Sequence, residues 1–279
     1  MCGAGTATSI VCWLVVYCRA ACWLRYNGWH VRIHFLLSLL ALRLAAQTPV
    51  NVAYQCSPQD VETFGLNCTE DEPCAVFLEL ASAGAAGNRV FAAGNLHTRD
   101  TTLFSLLLAS EDGGATWTEP MARLRNAALE QIEFFDQQNG PPVGWISGEA
   151  VDPLARDPFL LLTSDGGKTW RQKPLFDDTK YGTIAQFHFD SPARGELVLD
   201  ASQGKATRQE LYETMTGGEN WEVKQVSNTR LSLKNARAGN APGWRVRADA
   251  GSDTYRLEKG SGPKWQGVAS FNIHVTDCR

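Results

Sequence analysis

The sequence lacks any surplus of positive charge: 26 lysines and arginines face 30 aspartates and glutamates, a formal balance of −4. That removes the electrostatic footprint of a nucleic-acid binder. It also lacks a long apolar run. The two apolar stretches near its start, Ile10–Tyr17 and Phe35–Leu42, each hold about eight residues, well short of the roughly 20 that span a bilayer. Histidine is scarce, and beyond residue 46 only His97, His188 and His274 remain, far apart and with no CxxC pair to join them. A zinc site is therefore not expected. Phosphate-cradling glycine loops, Ser or Cys nucleophile motifs and the alternating acids of a calcium loop are absent too. No metal, no cofactor and no catalytic residue are expected. What is present is ordinary globular composition, 44% hydrophobic and 20% charged, which argues against disorder. With 25 glycines and 12 prolines, many turns and many short strands are expected.

Residues 1–46 stand apart. They hold Cys2, Cys12, Cys18, Cys22, three tryptophans and four arginines, and no acidic residue. Arg32 and His34, the apolar Phe35–Leu42 and then Leu44-Ala45-Ala46 have the layout of a secretory signal peptide cleaved after Ala46. Gln47 stands where a lipoprotein would need cysteine. Residues 1–46 are read as a leader, with a signal peptide at about 31–46 behind a mis-assigned start. A long signal peptide or a membrane-tethered tail is the alternative. Residues 47–279 are read as one exported domain, periplasmic or extracellular, with no stable membrane span.

Cysteine use agrees with export. The domain keeps Cys56, Cys68, Cys74 and Cys278, an even number with three possible pairings. Cys68–Cys74 would close a short acidic loop and Cys56–Cys278 would join the two ends. By loop entropy a bridge of that reach stabilises by about 4–5 kcal/mol, less any strain.

A repeat organises the rest. Ser110-Glu111-Asp112-Gly113-Gly114-Ala115-Thr116-Trp117 recurs as Thr163-Ser164-Asp165-Gly166-Gly167-Lys168-Thr169-Trp170. A weaker copy ends Thr214-Met215-Thr216-Gly217-Gly218-Glu219-Asn220-Trp221, and a degenerate one ends at Trp265. The tryptophans lie 53, 51 and 44 residues apart. Apolar runs precede each octamer: Phe104–Ala109, Phe159–Leu162 and Leu211–Tyr212. Pairs of strand-like segments lie upstream, such as Ile132–Phe135 with Val143–Ser147, and Ile184–Phe189 with Glu196–Leu199. Four short antiparallel strands in about 50 residues, repeated, are the signature of an all-β fold, the β-propeller. Asp112 and Asp165 are expected to accept hydrogen bonds inside their own turns while the glycines take positive φ. Ser110, Thr163 and Thr214 are expected to bond the same loops, and Trp117, Trp170 and Trp221 to pack against a blade. Gly114, Gly167 and Gly218 complete this structural set. Thr216 replaces the aspartate, so the third turn should be held less firmly.

The octamer resembles the Asp-box, or BNR repeat, of sialidase-type propellers. With Phe134-Phe135-Asp136 and Gly144-Trp145-Ile146-Ser147-Gly148, the second unit resembles the photosystem II stability/assembly-factor group. The resemblance covers roughly residues 76–265 and implies the fold, with an assembly-factor-like role. Fold alone does not imply function. Five blades are expected, one of them composite from Val50–Gln55 and Phe271–Val275; four is the alternative count.

The Phe/Tyr-Arg-Ile-Pro motif of sialidases is absent. Asp136 and Asp190 occupy matching positions, yet a neighbouring Gly makes each a hairpin cap by expectation rather than one of a catalytic pair. The connections between the second and third strands carry Arg99, Arg156 and Arg208. Three guanidiniums on one rim would bind carboxylates of a peptide or an acidic glycan; alternatively each pairs with a neighbouring acid. The loop Glu149–Arg156, with Pro153 and Leu154, is the expected partner contact, and Trp145 and Trp244 are expected in the core. The reading is a non-catalytic binding or assembly module that presents its loops to a protein partner. The alternative is a glycan-binding or glycoside-hydrolysing propeller, which would require an acidic pair on the arginine-bearing face.

Overall fold

The computed structural model describes residues 48–151, 154–235 and 239–279. The leader 1–46 and Pro153 lie outside them. A short helix, α1 (Pro58–Thr63), precedes the strands. It begins in a reciprocal cap: the Asp60 amide donates to Ser57 Oγ at 3.1 Å, and the Ser57 amide to Asp60 Oδ2 at 3.0 Å. Ser-Pro-Gln-Asp is a legible helix start.

Everything else is antiparallel sheet. The first sheet contains β1 (Cys74–Ala86), β2 (Arg89–His97), β3 (Thr102–Ser110) and β4 (Leu124–Arg125). The second contains β5 (Ala127–Phe135), β6 (Val143–Ala150), β7 (Arg156–Thr163) and β8 (Arg171–Pro174). The third contains β9 (Thr183–Phe189), β10 (Gly195–Asp200), β11 (Gln209–Thr214) and β12 (Glu222–Ser227). The fourth has three strands, β13 (Trp244–Asp249), β14 (Thr254–Ser261) and β15 (Lys264–Asn272). Each sheet is a blade and the fold is a β-propeller.

The chain ends form no sheet of their own. The last strand, β16 (His274–Cys278), pairs with the start of β1, Cys74 opposite Cys278. Val50 forms a parallel bridge to Phe271 on β15. The described residues therefore form four sheets, the alternative blade count, with Val50 and β16 joined to existing sheets. Cys56–Cys278 and Cys68–Cys74 are the two disulfides. The first clamps the entering chain to β16, which protects that edge from pairing elsewhere.

Three apolar clusters fill the spaces between blades. One, including Leu78, Leu106, Leu257 and Phe271, joins the first sheet to the fourth. A second, with Phe91, Leu107, Ile132 and Phe159, joins the first to the second. A third, with Trp145, Phe187, Phe189 and Tyr212, joins the second to the third. Each large side chain so buried contributes about 1.5–3 kcal/mol. Trp145 and Trp244 are core residues; Trp145 stacks on Phe189 with ring centroids 3.7 Å apart.

Between the third and fourth sheets the chain behaves differently. Among the described residues no inner strand precedes β13: 228–235 and 239–243 carry no regular structure. The Leu231 amide donates to Gln209 Oε1 at 2.6 Å and the Leu233 amide to Gln186 Oε1 at 3.1 Å, both on the third sheet. Further on, the Ile132 amide donates to the Gly239 carbonyl and the Ala241 amide to the Ala83 carbonyl. Gly239, Pro242 and Gly243 interrupt any alternation here, so backbone groups are satisfied by side-chain amides instead of a ladder.

Candidate functional site

The octamer turns and the arginine-bearing loops lie at opposite ends of the third strand of each sheet. The octamer end is saturated. Asp112 Oδ1 accepts from Ser110 Oγ (2.8 Å) and the amides of Ala115 and Thr116 (3.0 and 2.8 Å), and Oδ2 accepts from Thr116 Oγ1 (2.7 Å). Asp165 repeats the pattern with Thr163, Lys168 and Thr169. The hydrogen bonds to Asp112, that of the Thr116 hydroxyl foremost, hold its carboxyl down at about 2. For Asp165, burial pushes upward but the Thr169 and Thr163 bonds outweigh it, again to about 2. In the third copy Thr216 Oγ1 accepts only the Asn220 amide at 3.0 Å and meets Thr214 Oγ1 at 3.3 Å.

The second glycine of each octamer touches the preceding blade. A methyl group on Gly167 (φ +79°) would lie 2.2 Å from Phe91 Cζ, and one on Gly114 (φ +102°) 2.5 Å from Val268 Cγ1. Trp170 packs edge-on against Phe91, and Trp117 against Phe271. Each tryptophan also donates its indole N–H within its own turn, Trp117 to Gly114 at 3.0 Å and Trp170 to Gly167 at 3.1 Å. The Gly262 carbonyl receives the same bond from Trp265 in the degenerate copy. These residues join blades; they have no spare valence for a ligand.

The loop end is uneven. Arg99 is exposed in the Thr98–Thr101 turn and has no ion pair among the described residues. Arg156 lies 3.7 Å from Asp157. Arg208 donates twice to Glu210 Oε1, at 2.9 and 2.8 Å. Glu210 also accepts from Lys180 Nζ (2.5 Å) and Tyr212 OH (2.6 Å) on Oε2. Burial would raise its pKa, but these partners, Lys180 first, bring it to about 2. Arg208 is thus anchored by a carboxylate of its own sheet, whereas the buried Arg156 Nε makes no hydrogen bond, and no described cavity lining contains two of the three.

Beside them runs a groove of about 620 Å³, lined by Leu154, Ala155, Tyr181, Thr183, Asp200 and Gln203. Tyr181 and Gln203 also line an adjoining depression of about 430 Å³ that reaches Arg208 and Glu210. Leu154 is 65% exposed and Tyr181 48%. The sequence reading singled out Leu154 but not Tyr181.

Three glutamates at this end had no role in the sequence reading, which named Glu149 only as the start of its loop; Glu149 in fact lies at the end of β6 and Arg156 begins β7. Glu149, on β6, is only 6% exposed, and its Oε2 makes no hydrogen bond. Burial, then the charge of Glu130, pushes its pKa up to about 8. Glu130 sits on the β5 bulge and is itself raised by burial and by Glu79 of β1. Their positions are not repeated between blades, so no periodicity signalled them.

Along the axis, a cavity of about 430 Å³ is lined by Gln131, Glu133, His188, Lys234, Asn235 and Asn240, among others. His188 Nδ1 lies 2.7 Å from Glu133 Oε1 and Nε2 3.3 Å from Asp190 Oδ1. The hairpin turns beside Asp136 and Asp190 are tied instead by Gln137, which donates to the Pro141 carbonyl, and by Ser191, which accepts the Arg194 amide. The Asp190 carboxylate is drawn to the imidazole and does not cap its turn. No group of three His, Cys, Asp or Glu side chains among the described residues is spaced to hold a metal ion.

No family model matches the chain, and no curated protein matches it. Among solved structures it is similar to YCF48 bound to a D1 peptide, at 19% identity and a TM-score of 0.34, over 70% of this chain and 53% of that one. It is similar to a GH93 α-L-arabinofuranosidase of Fusarium graminearum in complex with arabinobiose, at 15% identity and 0.37, over 71% and 60%. A polysaccharide lyase, the PL25 ulvan lyase, matches at 10% identity and 0.39, over 74% and 55%. The chain therefore spans between half and three fifths of these proteins.

Proposed function

We propose that this chain is an exported, non-catalytic binding module, an Asp-box propeller that presents its loop end to an extended segment of a protein partner. The observation that carries the reading is the groove at the loops of the second and third sheets, where Leu154 and Tyr181 stay exposed. Exposed large apolar groups rimmed by polar ones mark interaction surfaces, and an aromatic beside an aliphatic anchor is the composition of a binding hot spot. Arg99, Arg156 and Arg208 supply the charged rim; Arg208, held by Glu210, is pre-positioned and loses little freedom on binding.

Crosslinking and co-purification from the native cell envelope test this. The wild type is compared with Leu154→Ala/Tyr181→Ala and with Arg99→Ala/Arg156→Ala/Arg208→Ala, each of confirmed fold. Loss of one partner protein in the first variant supports the reading, and weakened capture in the second assigns the rim. Undiminished capture in both overturns it.

A second reading, a glycan-active propeller, is favoured by Glu130 and Glu149, an acidic pair at the arginine-bearing end. It ranks second because the two lie on adjacent strands of one sheet, and a hydrolase sets its carboxyls on either side of the scissile bond. Hydrolysis of glycans by the wild type and not by Glu149→Gln would promote it.

A further inference from the structure

We propose that the inner edge of β13 receives an extended segment of a partner protein as the first strand of the fourth sheet. That segment carries acidic side chains on one face and apolar ones on the other. This surface is separate from the loop groove and stands or falls without it.

The position follows from the octamers. In the first three sheets each octamer joins the third strand to the fourth. The degenerate copy ending at Trp265 joins β14 to β15, so these hold the third and fourth places and β13 the second. Among the described residues no strand holds the first. The β13–β14 register is regular over six residue pairs, with neither bulge nor proline. The Gly260 amide donates to the Gly243 carbonyl, and bonded pairs then alternate through Arg245–Glu258 and Arg247–Arg256. Val246 and Ala248 therefore aim their N–H and C=O groups away from β14.

The other three sheets satisfy their inner edges. On β1 the Leu78 amide donates to the Ile273 carbonyl and the Ala83 amide to Asn240 Oδ1. On β5 the Asn95 side chain bonds both the amide and the carbonyl of Leu129. On β9 the Phe187 carbonyl accepts from Gln131 Nε2 at 2.8 Å. Among the described residues nothing bonds the outward groups of Val246 and Ala248. The preceding chain is engaged elsewhere: Leu231 and Leu233 bond the third sheet, and Ala241 bonds β1. Outer edges are blunted, β12 by the bulge at Lys224 and β8 by Pro174. β13 has neither device, and its Arg247 and Ala248 are exposed. A free, regular edge is a template for strand addition.

The side chains of β13 set the chemistry of the occupant. Arg245 and Arg247 share one face, with Arg256 of β14 directly opposite Arg247. Arg245 lies 4.2 Å from the centre of the Trp265 ring and pairs with Glu258, and Arg256 pairs with Asp249. Arg247 has no ion pair among the described residues. Three guanidiniums thus meet two carboxylates. That face is open, since no atom lies within 4 Å of where a methyl group on Gly267 would stand. On the opposite face Trp244 and Val246 join the core shared with the first sheet. An antiparallel segment turns its residue opposite Val246 toward that core and the next one toward Arg247. Alternating apolar and acidic residues satisfy both sides.

Calorimetry and amide hydrogen exchange on the full chain test this. The probes are end-blocked Glu-Val-Glu-Val-Glu, its lysine counterpart, and the acidic peptide N-methylated on both valines. The acidic peptide is expected to bind about tenfold tighter than either of the others and to slow exchange at the Val246 and Ala248 amides. Ala248→Pro removes an edge donor without touching the β13–β14 ladder and should weaken binding about tenfold. Arg247→Glu should turn the preference toward the lysine peptide. Equal binding of the N-methylated peptide, or unchanged exchange at Val246 and Ala248, overturns the proposal, and does so even where Ala248→Pro fails to fold. A wild-type dimer that Ala248→Pro disperses would assign the edge to a second copy and overturn the partner form. Leu154→Ala/Tyr181→Ala should bind the acidic peptide as the wild type does. Its loss of partner capture therefore reports on the groove alone, and failure of peptide binding reports on this edge alone.

Discussion

Asp165 and Glu149 are both carboxylates of the second sheet, placed toward its opposite ends. Asp165 accepts four hydrogen bonds from Thr163, Lys168 and Thr169, and its pKa falls to about 2. Glu149 Oε2 accepts none, and its pKa rises to about 8. The first pattern recurs at Asp112, one blade earlier; the second has no counterpart. Repetition here marks the residues that assemble the ring, because every blade must solve the same packing problem. Irregularity marks the end that is free to meet something else.

Four substitutions sharpen that contrast, ordered by expected effect. Gly167→Ala should be the most damaging, since it combines positive φ with a methyl 2.2 Å from Phe91. A loss of about 3 kcal/mol or more is expected in urea unfolding. Gly218→Ala, where the nearest atom is Leu160 Cδ1 at 3.2 Å, should cost less. Equal losses would show that φ alone, and not the blade contact, sets the penalty.

Glu149→Gln comes next and should act in the opposite direction. A carboxyl whose folded pKa is raised stabilises fully below its unfolded value of 4.5, and the benefit is lost as pH rises through about 8. The wild type should therefore lose roughly 4 kcal/mol between pH 4.5 and pH 8 from this group. In thermal unfolding across that range, the glutamine variant should show a flatter profile and exceed the wild type at the alkaline end. Parallel profiles would mean the carboxyl is already ionised and partnered.

Thr216→Asp is the smallest. It restores to the third turn the acceptor that the first two have, and should stabilise by about 0.5–1 kcal/mol above pH 4. The gain should disappear on acidification, as the pattern at Asp165 requires: its stability is present above 3.8 and lost as pH falls toward 2. No gain would mean the third turn is limited by something other than its missing carboxylate.

The octamer end was legible because its signal is periodic. Three strands of each of the first three blades, the turn roles of Asp112 and Asp165, and the tryptophan packing could all be read from spacing. The two cysteine pairs are the favoured one of the three pairings the sequence left open. Pairing of the arginines with nearby acids was weighed as an alternative, but Glu210 was not singled out as the partner of Arg208. The helix α1 was announced by Ser57-Pro58-Gln59-Asp60 and passed over. The nearness of Glu149 to Glu130 was not legible: it crosses two strands at a bulge, and nothing local distinguishes either from a solvated glutamate. Tyr181 escaped for the same reason, because its exposure depends on how far the loops around Leu154 and Gln203 stand apart. Among the described residues before β13, Gly239, Pro242 and Gly243 signal the lack of a strand, but the partners of Leu231, Leu233 and Ala241 are Gln209, Gln186 and Ala83, far away in sequence.

The most direct test of the loop end as the working face is covalent footprinting of the native complex, with and without the captured partner. Protection is predicted at Leu154, Tyr181 and residues 200–204, with the octamer turns at Asp112 and Asp165 labelled equally in both states. Protection centred on the octamer turns, with Leu154 and Tyr181 unchanged, would contradict the account.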